Sequence, residues 1–223
     1  MFCCLKGCLD TLGYSNNVPM RVRENPVRLD TSHMGHEVVI VKGGRRVCGT
    51  GGALASAPLV QSKSYFEVKL QQAGSWSVGL ATRHADLNQP QGGYDKESWC
   101  LNSDCTVRHE DVVLHSLPAD SANPDPLSSG PLLGSKDPGD LISSDGESRT
   151  PTEGDTLGVS YDHIALNFYL NGRDLEIPVE NIRGTVYPVL YVDEGAILDI
   201  ILDDFTYTPP PGFSKIMIEQ SLL

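Results

Sequence analysis

The chain has 223 residues, 39% of them hydrophobic and 21% charged, a composition that suits one well-buried globular domain with an appendage. Against 29 Asp and Glu stand only 17 Lys and Arg, a net charge of -12. Nucleic acid, whose phosphates such a surface repels, is therefore not an expected partner.

Residues 1–26 form an N-terminal segment that opens "MFCCLKGC". It lacks the long apolar core of a secretory signal, and no run in the chain approaches the ~20 apolar residues that span a bilayer. Cys3, Cys4 and Cys8 beside Phe2, Leu5 and Lys6 suit S-acylation. Two or three acyl chains would hold a protein on a membrane where one would not. The expectation is a cytoplasmic protein with reduced thiols, whose cysteine cluster reads either as a frayed terminus or as a lipid anchor that would associate it with a membrane. The other three cysteines, Cys48, Cys100 and Cys105, are too few and too scattered for a disulfide framework.

"SHMGHE" places His33 three residues before His36, followed by Glu37. A strand follows at once and no further ligand has metal-binding spacing, so both histidines read as solvent-exposed and no metal is expected. The strand Val38–Lys42 leads into "CGTGGALAS". Gly49, Gly51 and Ala55 mimic a dinucleotide fingerprint, but that mechanism needs a helix to begin in the loop, and Pro58 and a strand follow instead. The glycines therefore read as a tight backbone turn, and no cofactor is expected.

Beyond it, "SYFEVKL" alternates Phe66, Val68 and Leu70 on one face with Tyr65, Glu67 and Lys69 on the other, and "WSVGLAT" aligns Trp76, Val78 and Leu80. Residues 116–153 are rich in Pro, Ser, Gly and Asp, and carry seven acidic residues from Asp120 to Glu153 against Lys136 and Arg149. Such a segment buries too little apolar area to offset ordering, and reads as a disordered acidic insertion between two strands. A strand at Leu157–Asp162 precedes "HIALNFYLNGRDLEI", where Ile164, Leu166, Phe168 and Leu170 share a face and Asn171-Gly172 supplies a type I′ turn. Further strands are expected at Thr185–Val192 and Ala196–Leu202, the latter with Leu198, Ile200 and Leu202 inward and Asp199 and Asp203 outward. "TPPPGF" reads as a rigid strap closing the domain, and 214–223 as a tail.

Short antiparallel strands with Gly and Pro turns, and no α/β alternation, indicate an all-β, two-sheet antiparallel β-sandwich. It occupies 27–115 and 154–213. No nucleophile elbow, zinc-protease motif or P-loop occurs, and Asp162 and His163, if on a strand, point to opposite faces. An enzyme is not expected.

"KSYFEVKL", "GSWSVGLAT", "EGDTLGVSYD", "LNFYLNGRDL" and "GTVYPVLYV" resemble, in that order, the core strands of the SPRY (B30.2) domain. The resemblance implies a concanavalin-like sandwich and a non-catalytic adaptor module that holds a protein or peptide on loops at one end. In the SOCS-box adaptors of that family, a peptide site is formed by an Arg-Arg loop, a tyrosine and a turn after "YPVV". Matched motif by motif, these fall on Arg45, Arg46, Val47, Cys48 and Gly49, on Tyr94, and on Asp193, Glu194 and Gly195. The last turn is aromatic and apolar in those relatives and acidic here, which implies a different ligand, partly basic in character. The insertion departs from the pattern, and its role is not implied by it. The alternative reading is a lectin-like carbohydrate or small-molecule binder, which rests on fold analogy alone.

Overall fold

The computed structural model describes residues 26–117 and 150–218, and every regular element within them is a strand. In chain order these are β1 (Leu29–Met34), β2 (Glu37–Val41), β3 (Arg46–Ala55), β4 (Ser64–Gln72), β5 (Ser75–Ala81), β6 (Ser98–Asn102), β7 (Thr106–His109) and β8 (Val112–Ser116). Then come β9 (Thr156–Tyr161), β10 (Ala165–Leu170), β11 (Arg173–Asp174), β12 (Val179–Glu180), β13 (Tyr187–Asp193), β14 (Ile197–Ile201) and β15 (Ser214–Lys215). One layer has the order β2-β3-β14-β4-β9-β10, with β11 and β12 on the far side of β10; the other runs β1-β3-β13-β5-β6-β7-β8. β15 runs parallel to β4, and the strands of these layers are otherwise antiparallel.

β3 belongs to both layers. Arg46–Thr50 pairs with β2 and β14, whereas Gly51–Ala55 pairs with β13 and β1. The strand changes sheets in the glycine run, and the glycines allow it. Gly49 has φ 96° and Gly51 φ 119°, and a Cβ at Gly49 would overlap the Glu37 carbonyl oxygen. The turn expected at "CGTGGALAS" is thus a corner within one strand.

The inward faces meet as the alternation predicts. Val68, Leu70, Leu157, Val159, Phe168, Leu198 and Ile200 from one layer pack against Val78, Leu80, Leu101, Val107, Leu190 and Val192 from the other. Each such burial contributes about 1.5–3 kcal/mol. Asn171 and Gly172 take φ 50° and 80°, the expected type I′ hairpin turn.

The structure departs from the alternation at several points. Ile164, expected inside, is 72% exposed, because Asp162 and His163 form a turn (His163 φ 66°) instead of continuing the strand. β7 and β8 occupy residues that gave no strand signal, and Ser116, Leu117 and 150–153 belong to the described domain. The rest of the expected insertion, 118–149, lies outside the described residues, as do Cys3, Cys4, Cys8 and residues 219–223.

The largest departure is on β4, where Tyr65 and Glu67 were expected outward. Both are buried, because residues 203–211 lie across that face. Phe205 meets the Tyr65 ring edge-on at 4.9 Å, and Pro209, Pro210 and Pro211 line a groove with Tyr65 and Tyr169, which makes this segment the strap expected of "TPPPGF". Glu67 is the latch. Its carboxylate accepts the N–H groups of Thr206 (2.7 Å) and Tyr207 (2.9 Å) and the Tyr65 hydroxyl (3.1 Å). Burial, and then the neighbouring Glu67 carboxylate, hold the Tyr65 phenol protonated well beyond its usual range.

The two strands at the sheet corner are also tied by charge. Arg46 grips Asp199 across the β3–β14 pair with two bonds (Nε–Oδ1 2.5 Å, Nη2–Oδ2 2.8 Å), Lys42 adds a third at 3.2 Å, and Arg45 reaches Asp203 at 2.9 Å. Burial would raise the Asp199 carboxyl, but the Arg46 fork and Lys42 outweigh it and hold it below the ordinary range.

Two predictions arise here. Glu67→Ala strands the buried Tyr65 hydroxyl and two part-buried N–H donors and should cost on the order of 3 kcal/mol. Thermal melts should then fall by roughly 6–12 °C, with Glu67→Gln recovering part of the loss; an unchanged melt would remove the latch from the account. Arg46→Ala should lower Tm at pH 7. Because the folded pKa of Asp199 is depressed, that contribution is present above the unfolded value of about 3.9 and vanishes as pH falls through the folded one. Melts from pH 7 to pH 3 should therefore show the gap between variant and parent closing in acid.

Candidate functional site

The outward face of the second layer is apolar where an exposed face would be polar. Leu54, Ala81, Cys100, Tyr187, Val189 and Tyr191 form a second buried cluster there. The cover is the long connection between β5 and β6, whose Ala85 and Leu87 pack against it. Hydrogen bonds fix its course: the Leu87 carbonyl accepts Gly52 N–H (2.8 Å), Ser77 Oγ accepts Gly92 N–H (3.0 Å) and Ser98 Oγ accepts Gly93 N–H (2.8 Å). Asp95 anchors the return by accepting from Asp86 N–H, Glu97 N–H and the Ser98 hydroxyl. Side-chain and backbone bonds from Gln89 and Asn88 hold the Asp86 carboxyl below its usual range.

Tyr94 stands where this loop turns back. Its ring is 42% exposed, with the Arg108 guanidinium 5.3 Å from its centroid, and its hydroxyl donates to Gln91 Oε1 at 3.0 Å. Gln91 Nε2 donates in turn to Ser75 Oγ at 2.6 Å, and Ser75 sits opposite Asp193 in the β5–β13 ladder. Asp193 accepts the Thr50 hydroxyl at 2.9 Å. Beyond it Glu194 and Gly195 (φ 50° and 83°) form the exposed tip of the turn into β14. Two polar links therefore lie side by side at one end of the sandwich, Tyr94–Gln91–Ser75 reaching β5 and Asp193–Thr50 joining β13 to β3.

The sequence-predicted residues divide into two groups. Tyr94, Asp193, Glu194 and Gly195 share this end. Arg46 lies four residues along β3 from Thr50, ~13 Å at 3.3 Å per residue, and both Arg45 and Arg46 are engaged by Asp203 and Asp199. Val47 is wholly buried in the core, Gly49 is at the corner, and the Cys48 thiol points at the Val39 carbonyl. Thr50, Ser75, Gln91 and Arg108 were not singled out from the sequence, since only strand register brings such scattered polar residues together. His36 is solvent-exposed as expected and bonds to Asn88, whereas His33 is half-buried beside Asp30.

Cys100 lies under the loop with its side chain fully buried, and burial, with a smaller push from Asp95, raises its thiol well above the ordinary range, which keeps it unreactive. Burial does the same to the Tyr191 phenol beside it. Among the described residues no group of three or more His, Cys, Asp or Glu side chains could hold a metal ion, and no helix is long and apolar enough to cross a membrane.

Comparison with known proteins agrees with this architecture. The SPRY domain profile matches residues 63–204. SPRY domain-containing protein 7 of Bos taurus is 46% identical over 223 residues, covering 100% of this chain and 97% of the relative, and its Homo sapiens counterpart is 45% identical with the same coverage. Among solved structures, the PSpry domain of TRIM65 superposes with a TM-score of 0.53 at 14% identity, over 79% of this chain and 89% of that one. The sandwich, the profile and the full-length identity agree: the chain belongs to the SPRY domain family, which generally mediates protein–protein interaction.

Proposed function

We propose that this protein is a non-catalytic adaptor module that binds a protein or peptide segment at the end of the sandwich marked by Tyr94, Asp193 and Glu194. The observation that carries the reading is the state of Tyr94. A large aromatic ring is left 42% exposed while both its faces of attachment, the Arg108 guanidinium and the Gln91 amide, are fixed to strands. Such a ring supplies apolar contact area and a polar edge at little further entropic cost, the usual character of a binding hot spot. Asp193 and Glu194 border it, and Arg108 is partly offset by Asp104 and Asp111, so the rim favours a segment carrying Lys or Arg. Arg45 and Arg46 enter this reading only as the ties that hold the corner of β3. No observation favours the carbohydrate alternative over a peptide.

A second contact, needed by an adaptor, is proposed to come from membrane attachment through Cys3, Cys4 and Cys8. Acyl-exchange labelling of the full chain should give signal that disappears in the triple Ser variant; equal signal from the two would end this part of the proposal.

For the rim, quantitative affinity capture should compare the parent with Tyr94→Ala and Asp193→Lys. Proteins specifically enriched by the parent should fall about tenfold or more in Tyr94→Ala, equivalent to ~1.4 kcal/mol or more. Melting should shift little for so exposed a side chain. Identical partner profiles for all three proteins would discredit the rim.

A further inference from the structure

The opposite end of the same loop holds a second concavity. Thr82, Arg83 and His84, where the β5–β6 connection leaves the sheet, face Arg183, Gly184 and Thr185, which lead into β13, across a cleft of about 490 Å³ with Tyr187 and Glu97 in its wall. Tyr187 and Asp193 are the two ends of β13, six residues apart, so this cleft lies ~20 Å from the Tyr94 rim at 3.3 Å per residue.

Its charge comes from two arginines. The chain carries an excess of acid, and Lys42, Arg45, Arg46 and Arg108 are each within reach of an aspartate. Arg83 and Arg183, like Arg28, Lys63, Lys69, Lys96 and Lys215, form no such ion pair among the described residues, and these two stand in one cleft. Both are exposed and both line this cleft. Arg83 is also held in place. Its Nε donates to the Tyr187 hydroxyl at 2.8 Å, its guanidinium lies 4.6 Å from the Tyr187 ring centroid, and Nη1 donates to His33 Nε2 at 2.6 Å. Nη1 also lies 3.1 Å from His33 Nδ1, which is itself 2.8 Å from Asp30 Oδ2, so the ring links the guanidinium to Asp30 without a direct ion pair between the two. Arg83 still has N–H groups to offer a ligand. The one carboxylate in the wall, Glu97, is capped by the Thr82 hydroxyl at 2.5 Å. The Tyr187 and Thr185 hydroxyls add neutral donors, and His84 borders the opening.

We propose that this cleft is a binding site for an oxyanion-bearing side chain of a partner polypeptide, an aspartate, glutamate or phosphorylated serine, gripped between the Arg83 and Arg183 guanidinium groups. Planar guanidinium forks recognise both carboxylate and phosphate oxygens. A pair on separate loops, one of them pre-positioned on an aromatic face, selects an anion presented between them. The polarity is opposite to that of the Tyr94 rim, so the two ends of the sandwich take different segments.

The test titrates the full-length chain with three hexapeptides of one frame, Ac-Gly-Gly-Xaa-Xaa-Gly-Gly-NH2, where Xaa is Asp, phosphoserine or Asn. Arginine Nε resonances and calorimetry provide the readout. The Asp or phosphoserine peptide should shift the Arg83 and Arg183 signals and the Asn peptide should not; the tighter of the two acidic peptides identifies carboxylate or phosphate. Arg183→Gln, an exposed loop substitution that leaves Arg83 packing intact, should weaken binding at least tenfold, Arg83→Gln/Arg183→Gln should abolish it, and Tyr94→Ala should leave it unchanged. Equal shifts from the Asn peptide, undiminished binding to Arg183→Gln, or inorganic phosphate binding as tightly as the phosphopeptide would overturn the assignment. Binding that appears only after deletion of residues 118–149 would also overturn it, by assigning the cleft to the chain's own acidic segment.

Discussion

A single strand that must serve two sheets constrains everything else in this molecule. β3 takes its first partners, β2 and β14, from one layer and its last, β13 and β1, from the other. The change needs backbone angles that side-chain-bearing residues rarely adopt, and Gly49 and Gly51 supply them. Once the corner is fixed, so is the register on both sides: Arg46 must face Asp199, and Thr50 must arrive beside Asp193. Strand register moves in steps of one residue and each step reverses the faces. A slip here would turn Val47 out of the core and carry the Asp193 turn away from Ser75 and Gln91.

The corner also explains why the second layer presents an apolar outer face that needs covering. Gly52 and Leu54 follow the turn, and the Tyr191 ring lies over Gly52, where a Cβ would come within 2.5 Å of it. An aromatic ring laid flat on backbone extends the apolar surface across β3, β13 and β5, and the β5–β6 connection answers it with Ala85 and Leu87. The connection is therefore held where Ala85 and Leu87 pack on the sheet and by Asp95, Ser77 and Ser98 at its return. Both proposed contact sites use the ends of that one loop. Arg83 emerges at one end and Tyr94 at the other.

Much of the architecture was legible in the sequence because period-2 alternation reports directly on burial: Phe66, Val68 and Leu70, or Leu198, Ile200 and Leu202, needed no more than their spacing. The alternation misleads where a non-local segment covers the second face. Nothing near Glu67 signals that residues 206 and 207, well over a hundred positions away, will bring backbone N–H groups to its carboxylate. Ile164 misleads for the opposite reason, since a local turn at His163 interrupts a pattern that looked continuous. For the candidate site, motif resemblance supplied residue types but not their placement: Tyr94 and the Asp193–Gly195 turn come to one end, whereas Arg45 and Arg46 are met by aspartates on β14 and just beyond it. A sequence shows that an arginine is present; only the fold shows whether a carboxylate already holds it.

That last distinction separates the two ends of the molecule. In a chain with this excess of acid, each cation has many carboxylates to choose from, and most of the cations near the sheet corner are paired across strands. Arg83 escapes pairing because its neighbours are a tyrosine hydroxyl and a histidine ring, and the aspartate behind that ring is already bonded to it. Glu97, in the wall of the same cleft, accepts the Thr82 hydroxyl. Two arginines thus stand together at one end of the sheet, while Asp193 and Glu194 make the turn at the other acidic. Long-range fields of opposite sign at the two ends of a rigid body orient an approaching partner before any contact is made. Under the two proposals together, a segment of mixed charge binds in one direction, with its basic residues at Tyr94 and its acidic ones at Arg83.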